Sequence, residues 1–294
     1  MTAHLRWNDT ALFKAIRAGK TPLCSALASL WMASAFTTAA EPKAKQNADD
    51  SQIVPLKTAS LTIFEDFEST AVGTIPKGFT KKGEIAVAEG VAHSGTHALR
   101  LNAAARISDL IKSGPDLAAL GGHHWGRLFY RVQLPAPPPA HATMMWGQAR
   151  SKATGEPMVW NIADMSVKKD NAFHYFYSGM YQGTPHREFN GGGKALPEKF
   201  VEEWTLVEWH MDHATQTYRF YVNGKERFAA QPGTKNFERT EIPAVFESMH
   251  FGWVNHWGKP PVVEGACIVY IDDIAVGKDR IGDQISQPAA KTKE

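Results

Sequence analysis

The run Phe173-His174-Tyr175-Phe176-Tyr177-Ser178-Gly179-Met180-Tyr181-Gln182 concentrates side chains that move protons and pack on sugars. As a strand, it places Tyr175, Tyr177 and Tyr181 on one face and His174, Phe176, Ser178 and Met180 on the other. Phenols and imidazoles suit general acid–base work, and aromatic rings pack against the apolar faces of sugar rings. Two histidines stand ready to assist. His141 shares a strand face with Thr143 and Met145, and His210 shares one with Glu208 and Asp212. If both strands lie in one sheet, His141 and His210 converge with Tyr175 or Tyr177. Each of these residues also has a plainer reading, as cross-strand aromatic packing and as hydrogen-bonded structural histidines.

Nine tryptophans add further platforms, with Trp7 and Trp31 near the start of the chain. Trp125, Trp146, Trp160, Trp253 and Trp257 fall near strand ends or on candidate groove strands. Trp257, beside Gly258-Lys259-Pro260-Pro261, has the most open setting, and with Trp160 and Tyr181 it makes the expected sugar-contacting set. No histidine pair has zinc spacing backed by a third ligand. Glu208 and Asp212 have a strand spacing compatible with a glycosidase pair, whose carboxylates stand about 5 Å apart in retaining enzymes. The Glu-x-Asp-x-x-Glu pattern of jelly-roll glucanases is absent, which argues against that chemistry.

The elements that must position these groups are short and extended. Period-two alternation recurs at Glu84–Ala88, Ala98–Leu101, Arg127–Leu134, Thr143–Trp146, Val159–Met165, Ala172–Met180, Thr205–Met211, Tyr218–Val222, Met249–Val254 and Ile268–Val276. Asn223-Gly224 is the strongest hairpin signal, since both residues tolerate the positive φ of a tight turn. Only Arg106–Leu120 hints at helix, and Pro115 interrupts it. Many strands without βαβ alternation predict an all-β sandwich of two antiparallel sheets.

Residues 1–40 read as a signal peptide. Arg6, Lys14, Arg17 and Lys20 precede an apolar run from Thr21 to Phe36, and Thr38-Ala39-Ala40 offers a cleavage site. The run is shorter than the roughly 20 residues a membrane span needs. This segment carries four of the 32 Lys/Arg and one of the 30 Asp/Glu, so the remainder has a net charge of −1. That balance, without a basic face, excludes nucleic acid as a partner. Cys267 is the sole cysteine after residue 40, so the fold gains nothing from an internal disulfide. The organisation expected is a signal peptide (1–40), a linker (41–60), a polysaccharide-active domain (61–283) and a tail (284–294). The mature protein is expected to be secreted or periplasmic, monomeric and without a membrane span.

Taken in order, several segments resemble one family. They are Asp66-Phe67-Glu68-Ser69, Ala92-His93-Ser94-Gly95, Tyr130-Arg131-Val132-Gln133-Leu134, His141-Ala142-Thr143 and Val207-Glu208-Trp209-His210. Tyr221-Val222-Asn223-Gly224, His250-Phe251-Gly252-Trp253, Ile271-Asp272-Asp273-Ile274-Ala275-Val276 and Arg280-Ile281-Gly282 complete the series. It is similar to the core domain of the cellulose-induced proteins and to the glucuronan lyases, over about residues 61–283. The resemblance implies a concanavalin A-like jelly roll, a glycan groove and a structural calcium ion (Ca2+) distant from it. By position its ligands would be Glu68, Ser94 and Asp272, with backbone carbonyls completing the oxygen shell.

The same resemblance implies cleavage of an acidic polysaccharide by β-elimination. A base removes the C5 proton of a uronate, an acid protonates the leaving oxygen, and a polar group offsets the carboxylate charge. Tyr175, Tyr177, His141 and His210 are the candidates for proton transfer, with Asn161 or Arg187 near the carboxylate. The family's His-Leu-Arg triplet is replaced here by Met158-Val159-Trp160-Asn161-Ile162, without arginine. The tyrosine-rich strand also faintly resembles that of jelly-roll alginate lyases, with Tyr177 where those carry lysine. The alternatives are a non-catalytic carbohydrate-binding module using the same groove, and a structural envelope protein.

Overall fold

Strands that are apolar at every second position each have one face to cover, and two stacked sheets cover both. The structure, a computed structural model, describes residues 61–103, 105–133, 141–167, 173–181, 187–190, 202–234, 241–256 and 268–283, with backbone alone at 141, 165–167, 173–181 and 187–190. In chain order these residues form β1 (Leu61–Glu65), β2 (Phe79–Lys82), β3 (Ile85–Glu89), β4 (His97–Asn102), β5 (Ile107–Ser113), β6 (His123–Val132), β7 (His141–Arg150) and β8 (Pro157–Val167). There follow β9 (Phe173–Tyr181), β10 (Arg187–Asn190), β11 (Thr205–Asp212), β12 (Thr217–Val222), β13 (Lys225–Ala230), β14 (Phe246–Asn255) and β15 (Ile268–Gly277). A short 3₁₀ helix, Pro115–Leu120, lies between β5 and β6.

The first sheet runs β13-β12-β11-β6-β15-β4-β3, with β1 also paired to β15; the second runs β10-β9-β8-β7-β14-β5-β2. All the pairings are antiparallel. This is the two-sheet sandwich the alternation predicts, in the jelly-roll form the resemblance implies. Leu99, Leu128, Val207, Trp209, Phe220 and Ile271 of the first sheet share one buried cluster with Leu110, Met145, Trp160, Ile162, Phe251 and Trp253 of the second. Tyr218 of β12 donates its hydroxyl to the carbonyl of Ile162 on β8, tying the two sheets together. Trp209 donates its indole N–H to Nε2 of the buried His124 at 3.2 Å. Burial, and then the neighbouring His210, push the His124 imidazole down to about 3, so that it is neutral in the core.

The Asn223-Gly224 turn forms as expected, with φ of 49° and 74°, and joins β12 to β13. The helical hint at Arg106–Leu120 resolves differently. Ile107–Ser113 is a strand paired on both sides, with β14 and β2, and Pro115 opens the 3₁₀ helix. Proline suits that first position because it has no N–H to leave unbonded there.

One edge of β15 changes partner midway. Ile268–Ile271 pairs with β4, and Ile274–Gly277 pairs with β1. Asp272 and Asp273 occupy the gap, with Asp273 at a φ of 49°. Among the described residues no helix is long and apolar enough to cross a membrane. Residues 1–60, Trp257, Cys267 and the tail lie outside the described residues.

Candidate functional site

The first and last strands meet where calcium was expected. Asp272 and Asp273 are fully buried. Asp272 Oδ2 accepts the backbone N–H of His93 at 2.7 Å and of Ser94 at 3.3 Å. Ser94 Oγ donates to Asp273 Oδ1 at 3.0 Å, and His93 Nδ1 lies 2.7 Å from Asp273 Oδ2. Burial, then the charge of Asp273, push the Asp272 carboxyl up to about 8. Ser94 and Asp272 therefore come together as the resemblance implied. Glu68 does not join them, because Thr96 N–H, Thr96 Oγ–H and His97 N–H occupy its oxygens at 2.8, 3.1 and 2.7 Å. Among the described residues no three His, Cys, Asp or Glu side chains gather closely enough to hold one metal ion. The donor set fits calcium only in part.

The outer face of the first sheet holds a second cluster. Arg280, just beyond β15, donates Nε to Glu208 Oε1 at 3.1 Å and Nη2 to Glu208 Oε2 at 3.0 Å. Its guanidinium lies 4.2 Å from the ring centre of Tyr221 and 5.3 Å from that of Trp125. Arg127 Nη1 donates to the carbonyl of Gly282 at 2.9 Å, so the segment after β15 is strapped across this face. His210 stacks on Trp125, with ring centres 4.6 Å apart, and its Nε2 lies 3.4 Å from His123 Nδ1.

This placement corrects the expected convergence. His141 starts β7 in the second sheet, whereas His210 lies on β11 in the first, so the two do not meet in one groove. Glu208 and Asp212 are not a catalytic pair either. The first is bound to Arg280, and the second accepts the N–H groups of Ala214 and Thr215 in the turn after β11. Trp160 is a further correction. It is fully buried in the core between the sheets, where no sugar reaches it.

The other expected residues do belong to the second sheet. Tyr175 pairs with Met165, Tyr181 with Met158, Tyr177 with Phe189, Arg187 with Gly179, and His141 with Ser166. Their side chains lie outside the described residues, as does Trp257, but the register assigns their faces. Met158 and Trp160 enter the core, so their partners Tyr181 and Gly179, and with them Tyr175, Tyr177 and Arg187, occupy the core side of the sheet, whereas Asn161, paired with Ser178, occupies the other. Asn161 of β8 is buried and donates Nδ2–H to Asp164 Oδ2 at 3.2 Å.

Asn161 lies in a row that crosses the sheet. It pairs with Trp146 of β7, and Trp146 pairs with His250 of β14. Met249, Phe251 and Trp253 of β14 enter the core, so Ser248 and His250 project the other way. The Trp146 and His250 rings stack with centres 3.5 Å apart and planes 24° apart. Trp146 Nε1–H donates to Asp109 Oδ2 at 3.1 Å, and the same oxygen lies 3.5 Å from His250 Nδ1. His250 Nε2 is 3.0 Å from Ser248 Oγ, which is 3.4 Å from Gln148 Oε1. Gly252 permits this packing. A Cβ there would stand 2.0 Å from the Ser108 carbonyl oxygen and 2.6 Å from Asp109 Oδ1.

A second group lies beside the row. Thr143 donates its hydroxyl to Asp164 Oδ1, and His256 Nε2 is 2.6 Å from the Thr143 oxygen. With the only hydroxyl proton spent on Asp164, the bond from His256 is an Nε2–H donation. Two carboxylates, two histidines, two amides and a partly exposed indole thus share one sheet face.

The sequence reading left Asp109, Asp164, Ser248 and His250 without roles, and named Trp146 without choosing it. The available signal was Ser248-Met249-His250-Phe251, where polar and apolar residues alternate along a strand. Asp109 lies in Arg106–Leu120, whose residue pattern hints at helix and so conceals its strand face.

The fold defines the chain as a jelly-roll β-sandwich. It matches no family model and no curated protein sequence. Among solved structures it is similar to alginate lyase Aly36B in complex with alginate trisaccharide, with a TM-score of 0.52 and 10% identity, over 74% of this chain and 98% of that one. It is also similar to an endo-β-1,4-glucuronan lyase from the fungus Trichoderma reesei (TM-score 0.49, 13% identity, over 74% and 95% of the two chains). The cellulose-induced protein Cip1 gives a TM-score of 0.48 and 17% identity, over 76% of this chain and 100% of that one. At these identities the likeness concerns the fold alone.

Proposed function

We propose that this is an exported polysaccharide-active protein that lays a glycan across the outer face of its second sheet and cleaves uronic-acid-containing chains by β-elimination. The observation that carries this reading is the row Asn161–Trp146–His250 across three adjacent strands. An aromatic plane flanked by hydrogen-bonding groups is the arrangement a sugar ring requires. His141 lies on β7 of the same sheet as the proton-transfer group, with Asn161 against the uronate carboxylate, while Tyr175, Tyr177 and Arg187, on the core side of their strands, take no part. Incubation with a panel of polyuronates tests the proposal through the ultraviolet absorbance of the unsaturated product. Cleavage that survives His141→Ala would remove this histidine from the mechanism.

A binding module without catalysis is the second reading. It is favoured by the separation of His141 and His210 onto different sheets, which removes one proposed acid–base pairing. Retention on immobilised glycan with no unsaturated product from any polyuronate would establish it.

Two further parts of the proposal concern the chain's surroundings. The basic and apolar order of residues 1–40 supports export, and a terminus near Glu41 in secreted or periplasmic material would verify it. The adjoining buried carboxylates Asp272 and Asp273 support calcium at the strand junction, with Ser94 and Asp272 as ligands and Glu68 recruited from Thr96 and His97.

A further inference from the structure

Among the described residues, two buried side-chain atoms on the second sheet's outer face lack a hydrogen bond, Asp109 Oδ1 and His250 Nδ1, and they belong to facing residues. Leaving such a group unsatisfied costs about 1–3 kcal/mol, so each calls for an explanation. His250 Nδ1 faces Asp109 Oδ2 at 3.5 Å, while His250 Nε2 faces the Ser248 hydroxyl at 3.0 Å. Hydroxyl, imidazole and carboxylate therefore stand in the order that activates a serine. Catalytic hydrogen bonds are often long before substrate binds and tighten afterwards.

We infer that Ser248, His250 and Asp109 form a nucleophilic relay that removes ester-linked acyl groups from the glycan held on this face. The substrate half of this inference rests on the glycan reading above; the relay itself does not. The tautomer is set by the carboxylate. With Nδ1–H toward Asp109, Nε2 is left to accept the Ser248 proton. Gln148 stands beside the nucleophile, with Oε1 3.4 Å from Ser248 Oγ and accepting from it. Once that proton passes to His250, rotation of the amide by about 180° presents Nε2–H to the oxygen of the tetrahedral adduct. Trp146 covers one face of the imidazole and ties Asp109 in place through its indole N–H.

The chemistry balances with water as the only co-reactant. Ser248 Oγ attacks the ester carbonyl carbon while its proton passes to His250 Nε2, and Asp109 offsets the imidazolium charge. Collapse of the adduct breaks the bond from the acyl carbon to the sugar oxygen, which takes that proton and leaves as an alcohol. Water, deprotonated by the same nitrogen, hydrolyses the acyl-serine, releasing the carboxylic acid and restoring Ser248. β8, which carries Asn161, lies two strands from β14, about 10 Å away, so this ester site and Asn161 address neighbouring parts of one glycan.

The test begins with a fluorophosphonate probe on the full chain, followed by 4-nitrophenyl acetate and then O-acetylated xylan. Ser248 is expected to be the labelled residue, with labelling absent in Ser248→Ala and His250→Ala variants whose circular dichroism and melting match the parent. Asp109→Asn is expected to lower kcat on 4-nitrophenyl acetate by about 10³–10⁴-fold with KM nearly unchanged, a split that a purely structural role would not give. Absence of probe labelling together with absence of 4-nitrophenyl acetate hydrolysis would overturn the relay. Hydrolysis of the small ester without acetate release from O-acetylated xylan would overturn the substrate assignment and leave the relay standing. Polyuronate cleavage is scored separately and bears only on the lyase reading.

Discussion

The outer faces of the two sheets are built from the same kinds of residue to opposite effect. On the first sheet, Arg280, Glu208, Trp125, Tyr221 and His210 engage one another, and Gly282 closes over Arg127. On the second sheet, Trp146, His250, Ser248, Gln148 and Asp109 touch one another while His250 Nδ1 and Asp109 Oδ1 stay unbonded. A closed pair such as Glu208–Arg280, with both carboxylate oxygens bonded, has its hydrogen-bonding capacity spent on structure. An open one retains capacity for something that arrives, at a cost in stability that the rest of the sandwich must offset. The presence of aromatics, histidines and acids on a strand therefore does not distinguish a site from a latch; their bonding does.

The sharpest way to break this contrast is to damage the latch. Glu208→Ala leaves the Arg280 guanidinium buried without its carboxylate, and the expected loss is about 3–5 kcal/mol of unfolding free energy. Replacing Glu208 and Arg280 together with methionine is expected to recover most of that loss, because neither charge then remains to be solvated. Urea unfolding of the three proteins measures both effects. Equal losses for the single and double variants would show that the pair packs rather than latches.

Acid should probe the core beneath. His124 is held neutral in the fold near 3, while in the unfolded chain it takes a proton below about 6.5. The unfolded state therefore gains protons first as pH falls. The neutral-His contribution is complete above pH 6.5 and is lost progressively down to about pH 3. Near pH 5 the loss is about 2 kcal/mol. His124→Gln keeps an acceptor for Trp209 but does not titrate, so its stability should fall less steeply between pH 6.5 and 5. Parallel pH profiles for the two proteins would refute this.

Calcium offers a smaller effect at the edge of the first sheet. With a dissociation constant of about 10⁻⁴–10⁻³ M, as in external calcium sites, millimolar calcium should stabilise the fold by about 1–2 kcal/mol. Thermal melts in calcium and in chelator measure it, and Asp272→Ala should erase the difference. Identical melts, with metal absent by elemental analysis, would retire the proposal.

The smallest expected effect belongs to the open face. Trp146→Ala should weaken glycan retention about 3–10-fold, the worth of one aromatic contact. Glycan retention unchanged by this substitution would move the binding face elsewhere.

Much of the fold was readable in the sequence, because burial on one side imposes alternation that survives in the residue order. β11, β12, β14 and β15 follow it closely, and Asn223-Gly224 marked its hairpin. What could not be read was which strands share a sheet. His141 and His210 look equivalent along the chain, yet β7 and β11 lie in opposite layers, a property of long-range pairing with no local trace. Trp160 misled for a related reason. Alternation shows that Trp160 and Asn161 point to opposite sides of β8, but it does not show which side is the core. The short pieces β2 and β10, at four residues each, were below the length at which a period declares itself.

The division of β15 between β4 and β1 has a practical corollary. Leu61 pairs with Gly277, so the first and last strands of the sandwich lie on neighbouring backbones. A linker from beyond Gly282 back to Leu61, with the chain reopened at Asn223-Gly224, yields a circular permutant that keeps the strand pairings and the Arg280 latch of the parent. The same geometry lets the sandwich be spliced as a compact insert into a loop of another protein. Both connections then leave from the first sheet, and the face bearing Trp146 and His250 stays clear of the host.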